Sequence, residues 1–171
     1  MACLRRSFVI CCWFFVALAL TAETPWRFSN FSEPDAALAR DMLAAHNEIR
    51  QRADVPPLTW SDRLAATAQD WANHLLYQGQ FYHRPRAAYG ENLLEINGSR
   101  ALPAEVVAIW ASESSDYSYS ANTCRGMCGH YTQLVWSATR EVGCAVAHDA
   151  MREVWVCNYD PPGNWAGERP Y

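Results

Sequence analysis

The stretch VGCAVAHDAMREVWVCNY, Val142 to Tyr159, decides the fold class. Val142 to Ala147 and Val154 to Tyr159 are rich in β-branched and aromatic residues, and His148 to Arg152 between them is polar and turn-like. Such a pattern predicts two strands joined as a hairpin. Working upstream, the periodicity changes. His130 to Trp136 reads as a short helix, and Ser112 to Met127 as an ordered, Tyr-bearing loop closed by two cysteines. Pro103 opens a helix carrying Val106, Val107, Ile109 and Trp110, and Gly90 to Leu94 is a short extended run. Ser61 or Asp62 can cap a helix whose inner face holds Leu64, Ala68, Trp71 and Leu75, with Gly79 at its end. A first helix begins near Ser32 to Asp35 with Pro34 in its first turn, and Leu38, Met42, Ala45 and Ile49 recur along one face. Helices and strands do not alternate strictly, so an α+β domain fits better than a doubly wound parallel sheet.

The chain has 171 residues, half of them hydrophobic, with eight Trp and eight Tyr, enough for one domain with a substantial core. No internal repeat or low-complexity segment interrupts it. All 14 basic residues are Arg, and the formal charge is −4. An acidic domain of this kind is poorly suited to phosphate backbones, which excludes nucleic acid as the expected partner.

Residues 1–22 read as a signal peptide. Arg5 and Arg6 precede the 13-residue apolar run Phe8 to Leu20, and the small residues Thr21 and Ala22 follow. A helix of that length rises only about 20 Å, short of a bilayer core. Residues 23–35 form a polar lead-in, and the domain proper spans 36–171. The expected destination is extracellular. Cys3, Cys11 and Cys12 leave with the leader, so Cys124, Cys128, Cys144 and Cys157 remain. An even set in an exported chain points to disulfides rather than metal ligation, with three connectivities open from spacing alone. Sequons stand at Asn30-Phe31-Ser32 and Asn97-Gly98-Ser99.

The residues that could carry chemistry are scattered. Val107, Trp110 and Glu113 are three apart and share a face if the helix runs that far; a carboxylate there must be paired or lie in a cleft. His83 follows Phe81-Tyr82, and His130 follows Cys128-Gly129. Neither stands in a local metal-ligand spacing such as His-Glu-x-x-His, and the default reading of each is a structural hydrogen-bonder. The chain has no Gly-x-Ser-x-Gly elbow, and oxidised cysteines supply no nucleophile. No residue is assigned a catalytic role.

Four segments in order carry a family resemblance: His46-Asn47-Glu48-Ile49-Arg50, Gly90-Glu91-Asn92-Leu93, Gly129-His130-Tyr131-Thr132-Gln133, and Cys157-Asn158-Tyr159-Asp160-Pro161-Pro162-Gly163-Asn164. They resemble the HNxxR, GEN, GHYTQ and CNYxPxGN motifs of the CAP superfamily of cysteine-rich secretory, antigen 5 and pathogenesis-related class-one proteins. The closing Gly163 to Tyr171 looks like the plant type. The resemblance implies a three-layer α-β-α sandwich around a mostly antiparallel sheet. It implies a cleft of His83, Glu91, Glu113 and His130, with a weak zinc site on the two His and the two Glu as outer partners. It also implies the pairs Cys124–Cys128 and Cys144–Cys157, the latter closing a loop of roughly 14 residues and contributing about 3 kcal/mol. The plant-type third bridge maps to Gly79 and Asp149, where both cysteines are missing, so the second helix is expected to be less firmly tied to the hairpin.

By resemblance the leading function is binding of a sterol or other lipid in a defence role, by a monomer with contact at a membrane surface. Tyr117 and Tyr119 are the candidate lipid contacts. A second reading makes 161–171 a releasable signalling peptide. A third makes the His/Glu cleft a metal-dependent peptidase.

Overall fold

The computed structural model describes residues 33–171. The leader, the lead-in up to residue 32 and the Asn30 sequon lie outside the described residues. Four α-helices and six strands follow in the order α1 (Glu33–Arg52), β1 (Thr59–Trp60), α2 (Asp62–Gln78), β2 (Gly90–Asn97), α3 (Pro103–Ser112), β3 (Tyr117–Ser118), β4 (Thr123–Cys124), α4 (Gly129–Leu134), β5 (Glu141–His148) and β6 (Arg152–Asp160). A 3₁₀ turn, Glu113–Asp116, continues α3.

The hairpin read from the sequence is the centre of the sheet. β5 and β6 pair antiparallel with Cys144 opposite Cys157, β2 pairs antiparallel with the far side of β6, and β1 lies parallel to β5, giving the order β1-β5-β6-β2. The short parallel strand β1 was not visible in the sequence, because two residues carry no periodicity. The expected loop at 112–127 contains the 3₁₀ turn and a miniature β3–β4 ladder.

Alternation along the strands sorts the core into two layers. Ala145, Ala147, Val154, Val156 and Leu93 face α2 and meet Ala68, Trp71, Ala72 and Leu75. Val142, Cys144, Trp155, Cys157 and Tyr159 face the other way and meet Met42 of α1, Val106, Val107 and Trp110 of α3, and Leu134. The sheet is therefore covered on both faces by helices, which is the expected three-layer sandwich. Of the apolar residues that α3 carries, Ile109 is exposed. The N-terminal end of α2 rides close over β5: a Cβ on Gly143 would stand 2.2 Å from the Ala65 backbone nitrogen.

Both predicted disulfides are present, Cys124–Cys128 and Cys144–Cys157. Gly79 and Asp149 leave α2 without a third bridge, and polar contacts tie its end to the hairpin instead. Gly79 ends α2 in the left-handed region (φ 63°), a conformation that suits glycine. Arg152 of β6 then donates to the Leu75 carbonyl (3.1 Å) and the Gln80 carbonyl (2.8 Å) and pairs with Glu95. A guanidinium thus holds the helix end beside the hairpin, and its charge favours the negative end of the helix.

Candidate functional site

Each predicted histidine is held by a predicted glutamate. α4 begins at Gly129, so the backbone N–H groups of His130 and Tyr131 lack helical acceptors. Glu113, at the end of α3, supplies one: its Oε2 accepts from both (2.9 and 3.2 Å), while Oε1 accepts from His130 Nδ1 (2.6 Å). Glu113 therefore shares the inner face of α3, as its spacing from Trp110 suggested, and is paired. The indole of Trp110 stacks on the His130 imidazole with centroids 6.1 Å apart, and its Nε1 donates to the Leu93 carbonyl of β2.

The other pair is built on β2 and the segment before it. Glu91, whose side chain is 4% exposed, accepts from His83 Nδ1 (2.8 Å) and the Arg84 backbone N–H (3.0 Å), both through Oε1. Arg84 lies over the Trp71 ring (5.0 Å), and it binds the Thr67 carbonyl and Asp70 of α2. The hydrogen bond and charge of Glu91 raise the His83 pKa above its ordinary value. The second oxygen of Glu91, Oε2, is buried without a hydrogen-bond partner. In both pairs Nδ1 is committed to a carboxylate, so in the neutral ring Nε2 carries the lone pair that a cation would use.

The two pairs flank one strand. β2 is the outer strand of the sheet, and its alternation sends Glu91 to the α2 side with Leu93 and Asn92 to the opposite side. Asn92 donates to the His130 carbonyl (3.1 Å) and to Tyr159 Oη (3.2 Å). Tyr159 in turn donates to His46 Nε2 (3.0 Å), whose Nδ1 is bonded to the Met42 carbonyl. This buried chain fixes the His46 tautomer. Burial pushes the His46 pKa down to about 4, with the nearby Arg50 charge assisting and the Met42 bond opposing. Asn92 and Tyr159 were quoted as motif letters in the sequence without a role; only the fold reveals that they join α1 to the His130 backbone.

The motif on α1 serves the frame rather than the site. Arg50 is fully buried and donates to the carbonyls of Pro56, Leu134, Trp136 and Thr139. Asn47 exchanges two hydrogen bonds with Leu58. His46 also lies near the Sγ atoms of Cys144 and Cys157, all within 4.8 Å of one another, but both sulfurs are spent in their bridge.

The candidate lipid contacts lie apart from both pairs. Tyr117 is half-buried, donates to Asn122 Oδ1 (2.7 Å) and tilts against Tyr131. Tyr119 is 45% exposed, and one face is stacked on Tyr171 at 4.7 Å. A cavity of about 510 Å³ opens beside Tyr117, bounded by Met127, Trp136, Trp165 and the Cys124–Cys128 bridge.

Comparison with known proteins places the chain. It is 42% identical over 133 residues to pathogenesis-related protein 1 of Arabidopsis thaliana, covering 77% of this chain and 81% of that one. It is 44% identical over 135 residues to pathogenesis-related protein 1A of Nicotiana tabacum, covering 77% and 80%. The fold matches a crystal structure of NaASP2 with Zn2+ at a TM-score of 0.66 and 22% identity, covering 84% of this chain and 88% of that one. Residues 43–159 match the cysteine-rich secretory protein (CAP) family, and the chain belongs to that family.

Proposed function

We propose that this chain is a secreted, defence-related binding protein that takes up a sterol or other lipid beside Tyr117 and Tyr119, and whose His/Glu pairs can hold a divalent cation. The observation carrying the lipid reading is the 510 Å³ hollow bounded by Tyr117, Met127, Trp136 and Trp165. Its size falls in the range of small-molecule pockets. The aromatic faces of Tyr117, Trp136 and Trp165 stand among polar side chains such as Asn122, Thr132 and Glu168, a mixture that suits an amphipathic ligand such as a sterol. The defence role follows from the names of the plant relatives. The test is equilibrium binding of radiolabelled cholesterol or ergosterol to the purified protein. Saturable binding that weakens about tenfold in Tyr117→Ala supports the reading. A folded protein that takes up neither sterol nor fatty acid rejects it.

Two imidazoles whose Nδ1 atoms are tied to carboxylates are donors of the kind a divalent cation takes, which supports the cation part of this reading. His83 and His130 would hold it through Nε2, with Glu91 and Glu113 fixing the rings. The buried, unpartnered Glu91 Oε2 is an acceptor oxygen available to a cation or its bound water. When bound, zinc would supply a positive charge that polarises oxygen ligands. Two protein imidazoles make an open, weak site, unlike a closed structural one. Calorimetric titration with zinc chloride should show one site that is lost in both His83→Ala and His130→Ala. Heat that survives both substitutions removes the cation from this reading.

The second reading, in which 161–171 is a releasable peptide, is favoured by the continuous exposed run from Asn164 to Arg169. Mass spectrometry of secreted material tests it, and finding only the uncut chain counts against it.

A further inference from the structure

After β6 the chain enters no further helix or strand, and Pro161–Tyr171 runs over α4 and the β3–β4 ladder. It is attached by hydrogen bonds in three places, and at its end also by apolar packing, with Pro170 buried and Tyr171 against the core. At the start, the Gly163 N–H donates to Gln133 Oε1 (3.0 Å), Asn164 Nδ2 donates to the Gly129 carbonyl (2.8 Å), and the Thr132 hydroxyl donates to Asn164 Oδ1 (2.6 Å). In the middle, Asn122 Nδ2 donates to the Glu168 carbonyl (3.2 Å). At the end, the Ser137 N–H donates to the Pro170 carbonyl (2.6 Å), Tyr171 stacks on Tyr119, and its hydroxyl meets Tyr131 Oη at 3.1 Å. Between the anchors lies the 510 Å³ hollow, so the segment bridges open space. Trp165, its largest side chain, is more than half exposed.

The segment is thus docked by its two ends, with the exposed run Asn164 to Arg169 between them. The receiving groups are set by the body itself. Tyr117 holds Asn122 Oδ1, which aims the Asn122 amide N–H groups at the segment. Asn122 sits at φ 51°, an unusual conformation that the surrounding loop maintains. Thr139 accepts from Gln133 Nε2, leaving Oε1 for Gly163. The segment is likewise ordered by its own contacts: the Glu168 N–H donates to the Trp165 carbonyl, and the Trp165 indole N–H donates to the Pro162 carbonyl. When both partners are pre-shaped, little conformational freedom is lost on docking.

We infer that the body carries a preformed peptide-binding groove, formed by Tyr119, Asn122, Tyr131, Thr132 and Gln133 with the Gly129 carbonyl, whose ligand is the chain's own Pro161–Tyr171 and which keeps that peptide after the backbone before Pro161 is cut. The inference takes from the second reading only that the segment is a separable unit. A cut therefore does not free the peptide; dissociation is a separate step, governed by the anchors at its two ends.

The test uses the full chain with a protease-recognition sequence inserted between Asp160 and Pro161, the uncut protein first matched to the parent by circular dichroism and thermal midpoint. After cutting, native gel filtration followed by mass spectrometry should find the peptide in the protein peak. Tyr171→Ala in the same chain should shed it about tenfold faster, the effect of losing a stacked pair and its hydroxyl contact. A peptide that leaves the cut parent chain at once overturns the inference. Should the insertion perturb folding, fluorescent PPGNWAGERPY is titrated instead onto a chain ending at Asp160, first matched to the parent by circular dichroism, so that no tethered tail competes for the groove. Saturable anisotropy that drops about tenfold when Asn122→Ala is added supports the groove, and no binding overturns it. A chain never cut in the secreted fraction would defeat the release reading and leave this result untouched.

Discussion

The two His/Glu pairs differ in how they are held. His130 is 22% exposed, lies at the start of a helix, stacks on Trp110, and shares its carboxylate with two backbone N–H groups. His83 is 65% exposed, stands in the segment between α2 and β2, and has one hydrogen bond to a glutamate that is itself buried. In the first pair the carboxylate organises backbone, and the imidazole is set as a consequence. In the second one carboxylate oxygen takes both hydrogen bonds while the other is buried without a partner, and the imidazole is largely exposed. The contrast teaches that one pair belongs to the hydrogen-bonded frame of the fold, while the other rests on a single bond at an exposed ring.

If that is right, the largest separation between the halves will be in stability. Glu113→Ala strips acceptors from two backbone N–H groups and one imidazole, and it should cost about 3 kcal/mol in urea unfolding. Glu113→Gln should recover part of this, since an amide oxygen can still accept from the backbone. A loss below about 1 kcal/mol for Glu113→Ala would place Glu113 with Glu91 and erase the distinction.

The His130 half is also backed by the buried chain through Asn92, Tyr159 and His46, which gives it an acid limit. His46 is depressed from 6.5 to about 4, so the unfolded chain takes up the proton first. Stability from this group is complete above pH 6.5 and is lost as pH falls toward 4, by about 3 kcal/mol in all. Unfolding free energies of the parent and of His46→Gln, measured at neutral pH and near pH 4.5, should converge as pH falls. Parallel curves would show that His46 does not carry this loss.

Much of this frame was legible in the sequence. The β-rich runs Val142 to Ala147 and Val154 to Tyr159 announced the hairpin, and Gly79 announced the end of α2, because both signals are local. What could not be read depends on long-range placement. Arg152 looked like a turn residue, yet the hairpin carries it to the carbonyls of Leu75 and Gln80. Tyr119 looked like a ligand platform, and the fold lays Tyr171 across one of its faces. Glu113 was singled out by its spacing from Trp110, whereas Glu91 came only from a family pattern, and no spacing among the four His and Glu residues reveals which carboxylate meets which imidazole.

Arg152 bears on the looser half, since it anchors the start of the segment that carries His83. Arg152→Ala should cost about 2 kcal/mol, leaving carbonyls of the α2 end and Glu95 without their partner. Hydrogen exchange should rise at Gly79 to Arg84 while α4 stays protected. Equal exchange changes around His83 and His130 would mean that the two halves are one cooperative unit.

The smallest effect isolates the His83 pair. Glu91 raises the His83 pKa, so His83 stays protonated to a higher pH folded than unfolded; its stabilisation is present at low pH and is lost as pH rises through the folded value. Glu91→Gln replaces a buried charge, half of it unsatisfied, with a neutral amide of the same shape. Stability should therefore change by less than about 1 kcal/mol, in either direction, because a lost ion pair is offset by relief of a desolvated carboxylate. The His83 titration, followed by the imidazole proton shifts, should nonetheless move down toward the ordinary value. A His83 midpoint that does not move would mean that the carboxylate is not what holds its proton, and the adaptable half would then need another source for its charge.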